Sequence, residues 1–148
     1  MKVKRAVIDT NVLISAALSA RTPPALVVRF FLEHGCIVFS QETFAEFESR
    51  LWRPKFDRYL SMETRKALLH DFNAVADWVS LDDGVIVTSV AHSRDADDDK
   101  FVHTALIGGA DVLVSGDRDL LDIESSAVSG VKILSPADTL LQLDAWRE

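Results

Sequence analysis

Residues 94–121 read RDADDDKFVHTALIGGADVLVSGDRDLL and carry the most specific signals in the chain. Phe101, Val102 and Ala105 follow Asp98 at the spacing of one helix face, which predicts a helix whose apolar stripe packs against a sheet. Asp98 lies on that same stripe. An ionised carboxylate on an apolar stripe carries a high desolvation cost unless a cation meets it. This stretch therefore indicates both an α/β unit and a cation-binding acid.

On either side of this stretch, short β-branched runs alternate with helical patterns, which is typical of a parallel α/β sheet. The predicted strands are residues 3–8, 36–39, 85–87, 112–114 and 131–134. The predicted helices begin at Pro23, after Ser40 and after Ser135, the first of them stopping at Gly35, and a further helix lies between residues 60 and 76. We therefore predict one domain over residues 1–148, a three-layer α/β/α Rossmann-like domain with a central parallel sheet of about five strands.

Composition limits the classes of function. The net charge is −7, which argues against a protein that holds nucleic acid by bulk electrostatics. A single cysteine, Cys36, excludes a disulfide within the chain. Because no apolar run approaches the roughly 20 residues of a membrane-spanning helix and the N-terminus lacks a signal-peptide core, we expect a cytoplasmic protein with no membrane partner.

Two acids lie just beyond the carboxyl ends of predicted strands. Asp9 ends the first strand in VIDTNVLISA, and Asp117 follows VLVSG. Functional groups of parallel sheets collect at the carboxyl ends of strands. Taken alone, Asp9 fits a helix N-cap equally well. If these acids converge with Asp98, two carboxylates about 4 Å apart repel by roughly 4 kcal/mol at a dielectric of 20, which favours neutralisation by divalent cations. Hard oxygen ligands suit Mg²⁺ or Mn²⁺ and argue against structural zinc.

Three segments, VIDTNVLISA, SQETFAEFESRLWRPKF and the stretch from RDADDDKF to GDRDLL, resemble the PIN domain in the right order over nearly the whole chain. Within that family they are most similar to the toxin components of toxin–antitoxin systems, which are related to the VapC ribonucleases. The resemblance implies four metal-binding catalytic acids, which are Asp9, Glu46, Asp98 and Asp117. It implies supporting roles for Asn11, Ser115 and Asp119, with Ser115 standing where the family commonly has threonine.

The second acid remains open between Glu46, Glu48 and Glu42. The resemblance favours Glu46. Helical periodicity favours Glu48, because the apolar side chains of the segment turn Glu48 towards the buried side. Those apolar side chains are Phe44, Phe47 and Leu51.

The resemblance also implies an activity and partners. It implies an endoribonuclease that uses one or two Mg²⁺ or Mn²⁺ ions and leaves 5′-phosphate and 3′-hydroxyl ends. The implied partners are an RNA substrate, a cognate antitoxin and further copies of the chain in a homodimer or higher oligomer. In the basic segment RLWRPKFDR, Arg50, Arg53 and Lys55 either guide RNA phosphates or form an ordinary solvated surface.

Other classes of function fit less well. A haloacid-dehalogenase-like phosphatase needs a second acid where this chain has Asn11, and no glycine-rich phosphate loop follows the first strand. The remaining alternative is a non-catalytic PIN-like module that binds RNA or a protein partner.

Overall fold

The structure, a computed structural model, describes residues 4–81, 99–123 and 130–147. Within those ranges the chain forms five strands and seven α-helices. The strands are β1 (Arg5–Ile8), β2 (Cys36–Ser40), β3 (Asp77–Val79), β4 (Val112–Val114) and β5 (Lys132–Leu134). The helices are α1 (Thr10–Leu18), α2 (Pro23–His34), α3 (Gln41–Leu51), α4 (Met62–Val75), α5 (Asp99–Ile107), α6 (Arg118–Leu121) and α7 (Pro136–Trp146). One turn of 3-10 helix, Pro54–Phe56, lies between α3 and α4.

The five strands form one sheet in the order β3-β2-β1-β4-β5, and every pairing is parallel. This confirms the predicted parallel sheet of about five strands. Ile8 at the end of β1 is paired with Val114 at the end of β4. The residues that follow these two central strands are therefore neighbours at the carboxyl edge of the sheet.

The alternation of side chains along the strands separates two apolar layers. Ala6 and Ile8 of β1 belong to a core cluster formed with residues of α1, α2, α3, α4 and α7. Val7, between them, belongs to a second cluster on the other face, with residues of α5 and α6. Because successive side chains of a strand point to opposite faces, this pattern requires helices on both sides of the sheet. The predicted three-layer arrangement is confirmed.

Helix starts follow the local signals in the sequence. Ser40 caps α3, because its hydroxyl oxygen accepts the backbone N–H of Thr43, and the Thr43 hydroxyl oxygen accepts the backbone N–H of Ser40. Ser135 accepts the N–H of Asp138 and begins α7 in the same way. Such caps satisfy helix N–H groups that have no partner inside the helix. None of the described helices is by itself long and apolar enough to cross a membrane, and α1 and α2 reach that length and composition only together, across a bend of 101°.

One strand was missed by the sequence analysis. The predicted strand at residues 85–87 lies outside the described residues. The structure instead has β3 at Asp77–Val79, paired with β2. Two of its three side chains are exposed and the third is half-buried. A strand this short and this exposed lacks the apolar run that identifies strands in a sequence, so its position depends on its pairing with β2.

Candidate active site

Asp9 and Ser115 are held side by side by the pairing of β1 with β4. The backbone N–H of Asp9 donates to the carbonyl of Val114 at 2.9 Å, which continues the ladder by one residue. Asp9 follows β1 directly and Ser115 follows β4 directly. The two residues are separated by 106 positions in the sequence and are in direct contact in the fold.

Ser115 connects two of the predicted acids. Its hydroxyl donates to Oδ2 of Asp9 at 2.8 Å and accepts the backbone N–H of Asp117 at 2.9 Å. The Ser115 side chain is fully buried. Asp117 in turn caps α6, since its Oδ1 accepts the N–H of Asp119 at 2.9 Å. Asp119 contacts Asp117 through its backbone N–H.

Asp9 is a buried carboxyl group with an unfavourable charge environment. It is 3% exposed and stands at the N-cap position of α1. Burial raises the pKa of Asp9 above its ordinary value, the Ser115 hydroxyl and the Asn11 N–H lower it, and the charges of Glu46 and Asp117 raise it further. The Asn11 N–H is in keeping with an N-cap role, but that role does not account for the burial of this carboxyl group beside two other acids.

Glu46 reaches the same edge of the sheet from α3 and is paired with basic groups. Its Oε2 accepts the Thr10 hydroxyl at 2.6 Å, and its Oε1 lies 2.9 Å from Nζ of Lys100 and 3.4 Å from Nη2 of Arg50. Burial raises the pKa of Glu46, but the Lys100 and Thr10 hydrogen bonds and the charges of Lys100 and Arg50 outweigh burial, so the net pKa is lowered. Basic side chains of the protein neutralise this acid, whereas the sequence analysis expected divalent cations to neutralise the acids.

Glu46 and Glu48 flank the buried stripe of α3 on opposite sides. The buried residues are Thr43, Phe47 and Leu51. The stripe is centred on Phe47, so each glutamate lies about 100° from the centre. Glu46 faces α1 and α5, whereas Glu48 is exposed and lines a groove with α4. The periodicity argument for Glu48 is wrong, because it counted only apolar side chains and omitted the buried, polar Thr43.

The other predicted residues are exposed or lie outside the described residues. Glu42 is exposed in the first turn of α3. Asn11 is exposed on α1, and its Oδ1 accepts from Nη1 of Arg50 at 3.4 Å. Arg53 and Lys55 are exposed in the segment after α3. Asp98 lies outside the described residues, immediately before α5.

The sequence analysis did not name Thr10 and Lys100, the two residues that hold Glu46. Thr10 is fully buried at the first position of α1, and Lys100 is in the first turn of α5. The predicted stripe of α5 is confirmed, since Phe101, Val102 and Ala105 are buried. The position of Lys100 beside that stripe could have indicated a cation at the edge of the sheet. Its partner Glu46 could not have been identified, because Glu46 lies on α3, far away in the sequence.

The donor chemistry of the site suits a hard divalent cation. Asp9 and Asp117 offer carboxylate oxygens, and the contacts described for them are to a hydroxyl and to backbone N–H groups. Oxygen ligands of this kind are preferred by Mg²⁺ and Mn²⁺. Within residues 4–81, 99–123 and 130–147, no three side chains of the types His, Cys, Asp and Glu are grouped closely enough to hold a metal.

Comparison with known proteins identifies the family. A family model described as the PIN domain matches residues 5–119. The chain belongs to the PIN-domain family. PIN domains are generally nucleases. An uncharacterized protein of Methanocaldococcus jannaschii, MJ1680, is 30% identical over 121 residues, which cover 80% of this chain and 74% of that protein.

Two solved structures share the PIN fold. PAE2754 from Pyrobaculum aerophilum has a TM-score of 0.57 and 17% identity, with 96% of this chain and 90% of that chain covered. VapBC2 from Rickettsia felis, bound to a DNA fragment from their promoter, has a TM-score of 0.51 and 11% identity, covering 88% and 98%. At these identities the similarity concerns the fold alone.

Proposed function

We propose that this PIN domain is a metal-dependent endoribonuclease that hydrolyses RNA phosphodiester bonds with Mg²⁺ or Mn²⁺. The observation that carries the proposal is the burial of Asp9 at the carboxyl edge of the sheet, which raises the pKa of this carboxyl group, and the charges of Glu46 and Asp117, which raise that pKa further. A divalent cation offsets both causes of that raised pKa, desolvation and repulsion by like charges. The site is therefore built so that a cation stabilises it.

Asp9 and Asp117 are the described residues that would hold the metal. Asp98, which the family resemblance supplies and which precedes α5, is the proposed third ligand. When bound, a divalent cation activates water and stabilises the leaving oxygen of a phosphodiester. No side-chain nucleophile is required.

The neighbouring side chains orient and charge the site. Ser115 holds Oδ2 of Asp9 in one orientation through its 2.8 Å hydrogen bond. Glu46 is ionised at neutral pH, and its Oε1 holds the Lys100 ammonium group at 2.9 Å. Lys100 and Arg50 supply positive charge beside the acids, where it would stabilise the developing charge on a phosphate.

Cleavage of defined RNAs in Mg²⁺, Mn²⁺ or chelator tests this proposal. The natural chain should cut only with a metal, and Asp9→Asn and Asp98→Asn should each lose cleavage while remaining folded. Glu46→Gln and Glu48→Gln form a matched pair on α3: the first should impair cleavage and the second should leave it unchanged. Full activity of Asp9→Asn, or equal effects of the two glutamine variants, would contradict the assignment.

A non-catalytic binding module is the second candidate. The observation in its favour is that Glu46 is already paired with Lys100 and Arg50, so the described acids do not all require a metal. Titration with Mn²⁺ separates the two candidates. Absence of metal binding together with absence of cleavage of a mixed RNA pool supports the binding module, whereas metal-dependent cleavage excludes it.

We further propose that the enzyme is the toxin of a toxin–antitoxin pair, acts in the cytoplasm and self-associates. The support is the resemblance of its motifs to VapC-type toxins and the shared fold of VapBC2 from Rickettsia felis. Expression of the chain should arrest growth, and co-expression of a short open reading frame adjoining its gene should relieve the arrest. Growth that continues while the enzyme is active in the cell would refute the toxin role. Light scattering of the purified chain tests self-association, and cell fractionation tests the location.

A further inference from the structure

A groove with both basic and apolar walls lies beside the acids. One wall is the outer face of α1, and the other is the end of α3 together with the 3-10 turn that follows it. We call it the α1 groove, and its volume is about 210 Å³. It is lined by Asn11, Ile14, Ser15, Leu18, Arg50, Arg53, Lys55 and Phe56.

The charge of the α1 groove is opposite to that of the whole chain. Three of its lining residues are basic, namely Arg50, Arg53 and Lys55, and none of the lining residues is acidic. The net charge of the chain is −7. An acidic protein that concentrates cations in one groove presents a local site for anions, because screening limits the effect of the distant acids.

The floor of the groove is apolar. Ile14 is buried, Leu18 is 39% exposed and Phe56 is half-buried. Nζ of Lys55 lies 5.1 Å from the centre of the Phe56 ring. Since Lys55 is itself exposed, a flexible side chain covers that face of the ring, and a phosphate would draw this lysine away. The ring can then stack with a planar group.

A ligand for this groove must combine a flat apolar part with negative charge. A nucleotide does so, because its base stacks on aromatic rings while its phosphate pairs with arginine and lysine. The volume of the groove, about 210 Å³, is below the roughly 300–1,000 Å³ of most small-molecule pockets, so the groove has room for no more than one nucleotide unit.

The α1 groove is continuous with the acids. Arg50 bridges the two, since Nη1 lies 3.4 Å from Oδ1 of Asn11 in the groove and Nη2 lies 3.4 Å from Oε1 of Glu46. Asn11 is two residues from Asp9. A strand held in the groove would therefore lie beside Glu46, the acid that Arg50 contacts.

We infer that the α1 groove is a subsite for one unpaired nucleotide next to the bond that is cut. The inference rests on the proposed ribonuclease activity. Phe56 stacks with the base, while Arg53 and Lys55 bind its phosphates. Bases paired inside a duplex cannot be splayed into such a groove, whereas those of a single strand can.

Binding in chelator, without cleavage, tests the subsite directly. The probe is a short fluorescent single-stranded RNA of mixed sequence, with the matching duplex RNA and single-stranded DNA as further arms. Phe56→Leu keeps apolar bulk but removes the aromatic face, and should weaken single-strand binding by roughly 5- to 100-fold. Leu18→Gln alters the floor at an already exposed position and should weaken binding without loss of folding.

Salt dependence tests the basic wall. Arg53→Glu/Lys55→Glu should lower the slope of log binding constant against log salt by about 1.4, as expected for two lost phosphate contacts on a single strand. Arg29→Glu/Lys132→Glu is the matched control, because it makes the same change of charge at two exposed residues outside the groove. The control should retain the natural slope.

The outcomes separate this inference from the proposed activity. Equal affinity for single and duplex RNA, or natural affinity in both Phe56→Leu and Leu18→Gln, would overturn the subsite even if RNA is cleaved. Affinity for single strands that falls in these variants would support it even if no RNA is cleaved, in which case the proposed ribonuclease activity alone fails. Equal affinity for single-stranded DNA would extend the ligand class to both nucleic acids while supporting the groove.

Discussion

Replacement of Asp9 by asparagine separates two properties of this residue: the free energy of folding that its buried charge costs, and its proposed role as a metal ligand. Asp9 is 3% exposed, and the charges of Glu46 and Asp117 act on it unfavourably. Asparagine has nearly the same shape and can still accept the Ser115 hydrogen bond. An inadequately paired buried polar group costs about 1–3 kcal/mol, and a charged group costs more. We therefore expect metal-free Asp9→Asn to be more stable than the natural chain by about 1–3 kcal/mol.

Thermal unfolding in chelator measures this difference. For a domain of this size, about 1–3 kcal/mol corresponds to an increase in Tm of about 3–12 °C. Addition of Mn²⁺ at about 100 times its Kd should stabilise the natural chain by roughly 2.7 kcal/mol and leave Asp9→Asn unchanged, because only the natural chain binds the ion. Glu48→Gln is the control and should respond to Mn²⁺ as the natural chain does.

The pH dependence has a definite sign. Because the folded-state pKa of Asp9 is raised above the ordinary value of 3.8, this carboxyl favours folding while protonated. That contribution is fully present below pH 3.8 and is lost as the pH rises through the folded-state pKa. The advantage of Asp9→Asn should therefore disappear in acid. A variant less stable than the natural chain in chelator at neutral pH, or equal stabilisation of both by Mn²⁺, would refute the reasoning.

Three further substitutions test the contacts around and beyond the site. Lys100→Met should destabilise the fold by about 1–2 kcal/mol in urea unfolding, because it removes the closest cation from the partly buried Glu46. Lys100→Arg should restore stability. An unchanged free energy of unfolding in the methionine variant would argue against a stabilising Lys100–Glu46 ion pair. Ser115→Ala should destabilise the fold by about 1–3 kcal/mol, since both hydrogen bonds of the hydroxyl are lost. Its affinity for Mn²⁺, measured by calorimetry, should fall as well, and an unchanged affinity would show that the Ser115 bridge has no role in metal binding. Arg65→Met should be neutral or stabilise the fold by up to about 2 kcal/mol. Nε and Nη2 of this buried arginine lack hydrogen-bond partners among the described residues, and its ion-pair partner Asp57 is exposed. Clear destabilisation in urea unfolding would contradict this prediction.

Local patterns in the sequence were enough to predict much of the fold. The alternation of apolar runs and helical segments predicted the parallel sheet, and serine caps predicted the start of α3 at Ser40 and of α7 at Ser135. The spacing after Asp98 predicted the buried stripe of α5. These features depend on residues within a few positions of one another, so hydrogen bonding and amphipathicity inside one segment suffice. The role of Asp98 itself stays a prediction.

Tertiary packing decided which side chains meet. Glu46 and Glu48 are equally placed beside the buried stripe of α3, and only the contacts of α3 with α1 and α5 give Glu46 its partners Thr10 and Lys100. Likewise, β3 has too few apolar residues to be recognised without its partner strand. The sequence alone determined the faces of the elements and the acids at the strand ends. It could not determine the pairings, because a helix has two flanks and the choice between them depends on the free energy of packing against distant segments.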